Sequence, residues 1–209
     1  MGIEQLGNSI LETINTSEEL QRIAIDLGEI ALDTGLLEGI LQDVPVINTA
    51  IGMVKTLSNI KEALFARKLS KFLLQLSDIE PHERSEMIGK LNHSKFQNRA
   101  GEELILLLER LDSIDKAELV GKAFHAYIKG SITQTILIRI NFAIDRTPIQ
   151  DLKMLKAIYP ESPNNIEHVI QQMYLSAGVI WFEINMGSEG FEWQDEICKP
   201  LIDCVLYEI

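Results

Sequence analysis

The feature that most constrains this chain is an apolar stripe between Pro45 and Leu76. Ile47, Ile51, Val54, Leu57, Ile60, Leu64, Phe65, Leu69, Phe72, Leu73 and Leu76 follow one another at the spacing of a single helix face. Lys55, Lys61, Arg67, Lys68 and Lys71 occupy other positions of the same segment. The spacing predicts a helix of about 30 residues, bent near Gly52. A face that long must be covered, so the chain has to build a helical bundle around it.

The flanking segments read the same way. Thr16 and Glu19 match a capping box ahead of Leu20, Ile23, Leu27, Ile30 and Ala31. Asp43-Val44-Pro45 marks a stop and a restart, with Pro45 suited to a first helical turn. Pro81 opens a short helix through Leu91, and residues 98–111 form a Leu-rich one. Ser113 caps a helix that presents Ala117, Val120, Phe124, Tyr127 and Ile128 and ends at Gly130. Ser131 to Ile144 is the next helix.

After Thr147-Pro148 the texture changes. Pro148 to Tyr159 reads as a helix, Pro160 and Pro163 bracket a turn, and Asn164 or Asn165 caps a helix from Ile166 to Ala177. Gly178 stops it. Val179 to Ile184 is rich in strand formers, Asn185 to Gly190 is a loop, and Phe191-Glu192-Trp193 is a return strand. A helix from Ile197 to Leu206 closes the chain. The expected fold class is therefore mainly α. A helical bundle (1–147) is followed by a small winged-helix-like α+β tail with one β-hairpin (148–209).

Charge narrows the possible partners. The net charge is −12, unevenly spread: residues 1–44 carry nine acids and one base, 45–76 one acid and five bases, and 151–209 ten acids and three bases. Such a surface repels phosphate backbones and attracts basic proteins. No apolar run reaches the ~18–20 residues that a spanning helix requires. The N-terminus shows neither a basic leader region nor a small-residue cleavage site. Cys198 and Cys204 stand six apart, which on one helix separates their Cα atoms by ~9 Å, too far for a disulfide. Unpaired thiols suit a reducing compartment, and a cytoplasmic location is expected. His82, His93, His125 and His168 have no metal-ligand spacing. No metal and no cofactor are expected.

Two resemblances appear. Asp43-Val44-Pro45-Val46-Ile47-Asn48-Thr49-Ala50-Ile51-Gly52-Met53-Val54-Lys55, then Asn59-Ile60-Lys61-Glu62 and Arg67 to Leu73, resemble a family of uncharacterised bacterial helical proteins. The similarity continues through Gly101 to Leu104, Leu108 to Asp112 and Lys116 to Phe124, over roughly residues 40–150. That resemblance implies a helical fold and carries no activity. Its look suggests a non-enzymatic interaction protein, an accessory of phage defence or stress response. The tail is similar in element order to winged-helix domains, but its would-be recognition helix, 164–177, contains no Lys or Arg. Base-reading helices rely on those residues, so specific DNA binding is not expected.

Catalytic signatures are weak. Glu102-Glu103 and Glu109 with Asp112 are carboxylate pairs, but 31 acids in one chain make such pairs inevitable. His125 reads as a packed or capping histidine, and no Gly-x-Ser-x-Gly or Walker-type loop is present. The chain is expected not to be an enzyme. The basic stripe (Lys55, Lys61, Arg67, Lys68, Lys71) has two readings. Its bases face the acidic first helix inside the bundle, or residues 36–73 lie on an anionic membrane surface. The hairpin concentrates aromatic mass: Trp181, Phe182, Phe191 and Trp193. By alternation Trp181 and Glu183 share one face while Phe182 and Ile184 share the other. Either these aromatics pack onto the tail's own helices or they meet a protein partner. A homodimer formed through the tail is the simplest partnered arrangement. An acidic immunity or inhibitor protein that neutralises a basic toxin is the alternative function.

Overall fold

The computed structural model describes residues 3–16, 20, 46, 60–93, 100–185 and 188–207. The expected helix after Leu20, the restart at Pro45, most of the stripe before Ile60, and Lys55 lie outside the described residues. Among the described residues the chain is mainly helical, with one C-terminal antiparallel hairpin. By contact it divides into two compact units, Met1–Gly121 and Lys122–Ile209. The division falls inside a helix, earlier in the chain than the change of texture at Pro148.

The first unit opens with a helix in a segment for which none is expected above. In α1 (Ile3–Asn15), Ile10 and Ile14 are fully buried. Ile3, Leu6, Ile10 and Ile14 keep helical spacing despite Gly7, Asn8 and Ser9 between them. The weak helix formers have a packing reason. A Cβ on Gly7 would stand 2.7 Å from the backbone nitrogen of Glu102, and one on Gly101 would overlap the Gly7 carbonyl. The backbones of α1 and α4 (Ala100–Arg110) therefore touch, which only glycine permits. The Thr16 hydroxyl donates to the Glu12 carbonyl at 3.0 Å and closes α1, while Glu19, its expected capping-box partner, lies outside the described residues.

Helix α2 (Ile60–Leu74) buries Leu69, Phe72 and Leu73. After a turn that buries Leu76 and Ile79, α3 runs over Pro81–His93. Arg84 of α3 is only 2% exposed, and its Nη1 donates to the Ile14 carbonyl at 3.1 Å. A cation at that helix C-terminus meets the dipole's negative end. Burial lowers the Arg84 pKa from its ordinary value, and the Glu80 charge partly offsets this. Helix α5 (Ile114–Ile128) follows the Ser113 cap, whose hydroxyl accepts from the Lys116 N–H at 3.2 Å. Gly130, at φ 73°, ends it.

In the second unit, α6 (Gln134–Arg146) begins three residues later than the expected start at Ser131 and is capped by Thr133. The Thr133 hydroxyl accepts from the Ile136 N–H. Helix α7 (Ile149–Ile158) leads to a short 3-10 turn, Pro163–Asn165, and to α8 (His168–Ser176). Strands β1 (Ile180–Asn185) and β2 (Ser188–Trp193) pair antiparallel, with Trp181 opposite Glu192 and Phe182 opposite Phe191. Helix α9 (Asp195–Pro200) passes into a π turn, Leu201–Val205. Helix, turn, helix, hairpin, helix is the order expected for the tail. The core of this unit is Leu137, Ile140, Ile144, Leu152, Leu155, Tyr174, Val179, Cys198, Leu201 and Val205.

Candidate interaction surface

The hairpin is anchored at its base, and further out its first strand is exposed. At the base, Ile180 is buried and Trp193 is held within the chain. The Trp193 indole N–H donates to the Glu161 carbonyl at 2.8 Å. Its ring lies 5.4 Å from Tyr159 and 6.0 Å from Tyr174, tilted in both pairs. Those tyrosines are themselves tied. Tyr174 donates to the Asp151 carbonyl at 2.7 Å, and Tyr159 to the Asp195 carboxylate at 2.6 Å. Burial raises the pKa of both phenols, so they stay protonated donors. Bonds from Lys199 and Tyr159 hold the Asp195 carboxyl below its usual range.

Further out, the side chains meet solvent. Trp181 is 40% exposed, Phe182 45% and Ile184 70%. Phe182 and Phe191 meet edge to face at 5.3 Å. The register puts Phe182, Ile184 and Phe191 on one face and Trp181, Glu183 and Glu192 on the other. Of the four aromatics singled out from sequence, the structure thus divides the roles. Trp193 is a packing residue, Phe191 is half-buried, and Trp181 and Phe182 are presented.

The helix cap assigned to Asn164 or Asn165 is a correction. The residue before α8 is Glu167, which makes no side-chain cap bond. Asn164 instead clamps β2. Its Oδ1 accepts from the Phe191 N–H at 2.8 Å and its Nδ2 donates to the Phe191 carbonyl at 3.0 Å. Gly190 makes room, because a Cβ there would stand 2.9 Å from the Asn164 Oδ1. Sequence reasoning missed this clamp. Gly190 was expected at the end of the loop, but β2 begins at Ser188 and takes Gly190 into the strand, where a glycine often marks a close approach.

The basic stripe is partly consumed inside the first unit. Lys68 is 8% exposed, and its Nζ donates to the Glu109 carbonyl at 3.0 Å and to the Leu111 carbonyl. It closes the C-terminal end of α4. Burial lowers its pKa, and the charges of Asp112 and Glu109 partly offset this. Lys71 pairs with Glu118 at 3.4 Å. Arg67 is half-buried and Lys61 exposed. The partners of Lys68 and Lys71 thus lie at the end of α4 and on α5.

The carboxylates read as possible catalytic pairs stay at the surface. Glu103, Glu109 and Asp112 are exposed, and Asp112 pairs with Lys116. His125 is half-buried in α5. Cys198 is buried, its thiol donates to the Val179 carbonyl at 3.2 Å, and desolvation pushes its pKa up to about 12. A thiol held in that form is a poor nucleophile at neutral pH. Among the described residues no group of acids, histidines and cysteines is arranged to hold a metal ion. No helix among them is long and apolar enough to cross a membrane. No family model matches the chain, and neither a curated protein nor a solved structure matches it, so the resemblance over residues 40–150 gains no family support.

Proposed function

We propose that the protein is a non-enzymatic interaction protein that binds a basic partner protein through its C-terminal hairpin. One observation carries the reading. Trp181, Phe182 and Ile184 stand 40–70% exposed on a hairpin anchored through Trp193, and the segment 179–193 bears three carboxylates and no base. Large aromatics are enriched at interface hot spots, and an unbalanced acidic surface draws in cationic partners. The reading is closest to an acidic inhibitor or immunity protein, and it includes any basic client. The membrane reading is weaker, because Lys68 and Lys71 are engaged with Glu109, Leu111 and Glu118.

The test is affinity capture with the full chain and with a Trp181→Ala/Phe182→Ala variant, followed by measured affinity for the purified candidate. The reading expects a basic protein bound by the wild type, released as salt rises, and bound much more weakly by the variant. Equal affinity of the two proteins for every captured partner refutes it. So does sub-micromolar, sequence-dependent DNA binding at physiological salt. Sedimentation reads the homodimer alternative directly, since a dimer through the tail dissociates in the same variant.

A further inference from the structure

The two outer edges of the hairpin are unequal. In an antiparallel pair, residues alternate between facing the partner strand and facing outward. The Gln194 N–H donates to the Val179 carbonyl at 2.9 Å. Counting by twos, Trp181 and Glu183 turn their backbone groups toward β2, and Phe182 and Ile184 turn theirs away. On β2 the same count turns Phe191 outward, where Asn164 meets it with both amide atoms. One edge is therefore plugged by a side chain that mimics a strand. On the other edge, nothing among the described residues pairs with the outward N–H and C=O of Phe182 and Ile184. Both are exposed large apolar residues, Phe182 at 45% and Ile184 at 70%.

We propose that the outer edge of β1 accepts an extended segment of the basic partner as an added strand, with apolar residues alternating with Lys or Arg. The inference rests on the interaction reading above and deepens it. Strand addition uses backbone bonds for affinity and alternate side chains for specificity. An added strand beside β1 sets every second side chain against Phe182 and Ile184, and an apolar residue fits there. The intervening side chains fall on the face of Trp181 and Glu183, with Glu192 across the pair. A Lys or Arg there meets the Glu183 carboxylate and an indole face suited to a cation, with the Glu192 carboxylate one strand further on. A second copy of this chain fits less well. Its own strand, Ile180-Trp181-Phe182-Glu183-Ile184, has no base, so it brings a carboxylate where a cation is wanted.

The probe is a synthetic peptide of alternating Lys and Val, titrated into the full chain at low salt, with an alternating Glu and Val peptide as control. Binding is read by indole fluorescence, and the edge by amide hydrogen exchange. The inference expects the Lys peptide to bind and the Glu peptide not to. It expects the Phe182 and Ile184 N–H groups to gain protection. Phe182→Pro removes an N–H that β2 does not use, so it should weaken binding at least about tenfold beyond Phe182→Ala. If Phe182→Pro does not fold, exchange in the wild type decides. Binding without protection of Phe182 and Ile184, or equal loss in the Pro and Ala variants, overturns strand addition while leaving the surface reading intact. Failure of the Lys peptide to bind, or equal binding of the Glu peptide, overturns the alternating basic occupant. Protection of those amides that grows with protein concentration and no peptide overturns it in favour of a second copy.

Discussion

The Asn164 clamp on Gly190 and Phe191 makes a sharp prediction, because it fixes the sign of a mutation in two backgrounds. Asn164→Ala removes two backbone-directed hydrogen bonds, at 2.8 and 3.0 Å. Each is worth about 0.5–1.5 kcal/mol, and both are exposed, so the expected loss is about 1–2 kcal/mol. Gly190→Ala leaves Asn164 in the sequence and expels its amide, because the new Cβ would stand 2.9 Å from Oδ1. It forfeits the same bonds and regains ~0.4–1 kcal/mol from a stiffer unfolded chain. The net is a loss of about 0.5–1 kcal/mol. In the Asn164→Ala background the clash is gone, and Gly190→Ala should become stabilising by ~0.4–1 kcal/mol. Both tryptophans of the chain, Trp181 and Trp193, lie in the second unit. Denaturant titration followed by indole fluorescence therefore reports the unit that holds the clamp. The double-mutant cycle isolates the coupling. If Gly190→Ala shifts stability by the same amount and sign in both backgrounds, the clamp reasoning is wrong.

Three further outcomes follow from the structure. Lys68→Met should cost about 1.5–3 kcal/mol, the worth of charged hydrogen bonds to the Glu109 and Leu111 carbonyls. Because the folded Lys68 pKa lies below its ordinary 10.5, the unfolded chain binds more protons between those two values. The wild type should therefore gain stability over Lys68→Met as pH rises through that window, and a deficit that shrinks there contradicts the burial argument. Cys198, with its thiol pushed up to about 12, should resist a thiol-reactive disulfide reagent at pH 8 until denaturant is added; prompt native labelling of Cys198, located by mass spectrometry, counts against it. Trp193→Ala should lower the midpoint of unfolding, since it removes the Glu161 bond and both tyrosine contacts. Trp181→Ala should leave the midpoint near the wild-type value, and comparable losses in the two variants refute the division between anchor and presented aromatic.

Helical periodicity carried most of the fold. The apolar stripe around Leu69 and Phe72, the Ser113 cap with its Gly130 stop, and the change of pattern at Val179 each state their element locally. Backbone geometry then allows few alternatives. Helix α1 escaped because Gly7, Asn8 and Ser9 depress local propensity. Tertiary contact overrode that preference, since Gly7 and Gly101 let two helices touch. One cap slipped for a related reason. Asn164 is a good N-cap residue type, yet its side-chain amide binds whichever N–H or C=O the fold brings within reach.

The candidate surface was legible only in outline. Alternation already assigned Trp181 and Phe182 to opposite faces, and composition marked the hairpin as aromatic within an acidic tail. Which aromatic is spent on packing depends on residues distant in sequence: Glu161, Tyr159 and Tyr174 claim Trp193, and none claims Trp181. Which edge stays open depends on Asn164, 27 positions before the Phe191 it meets. Local sequence determines periodicity, caps and the charge each segment carries, because those are set by neighbours along the chain. Only the tertiary structure decides which donors, acceptors and rings are already satisfied, because their partners are brought together by folding, and what stays unsatisfied at the surface is what a partner can bind.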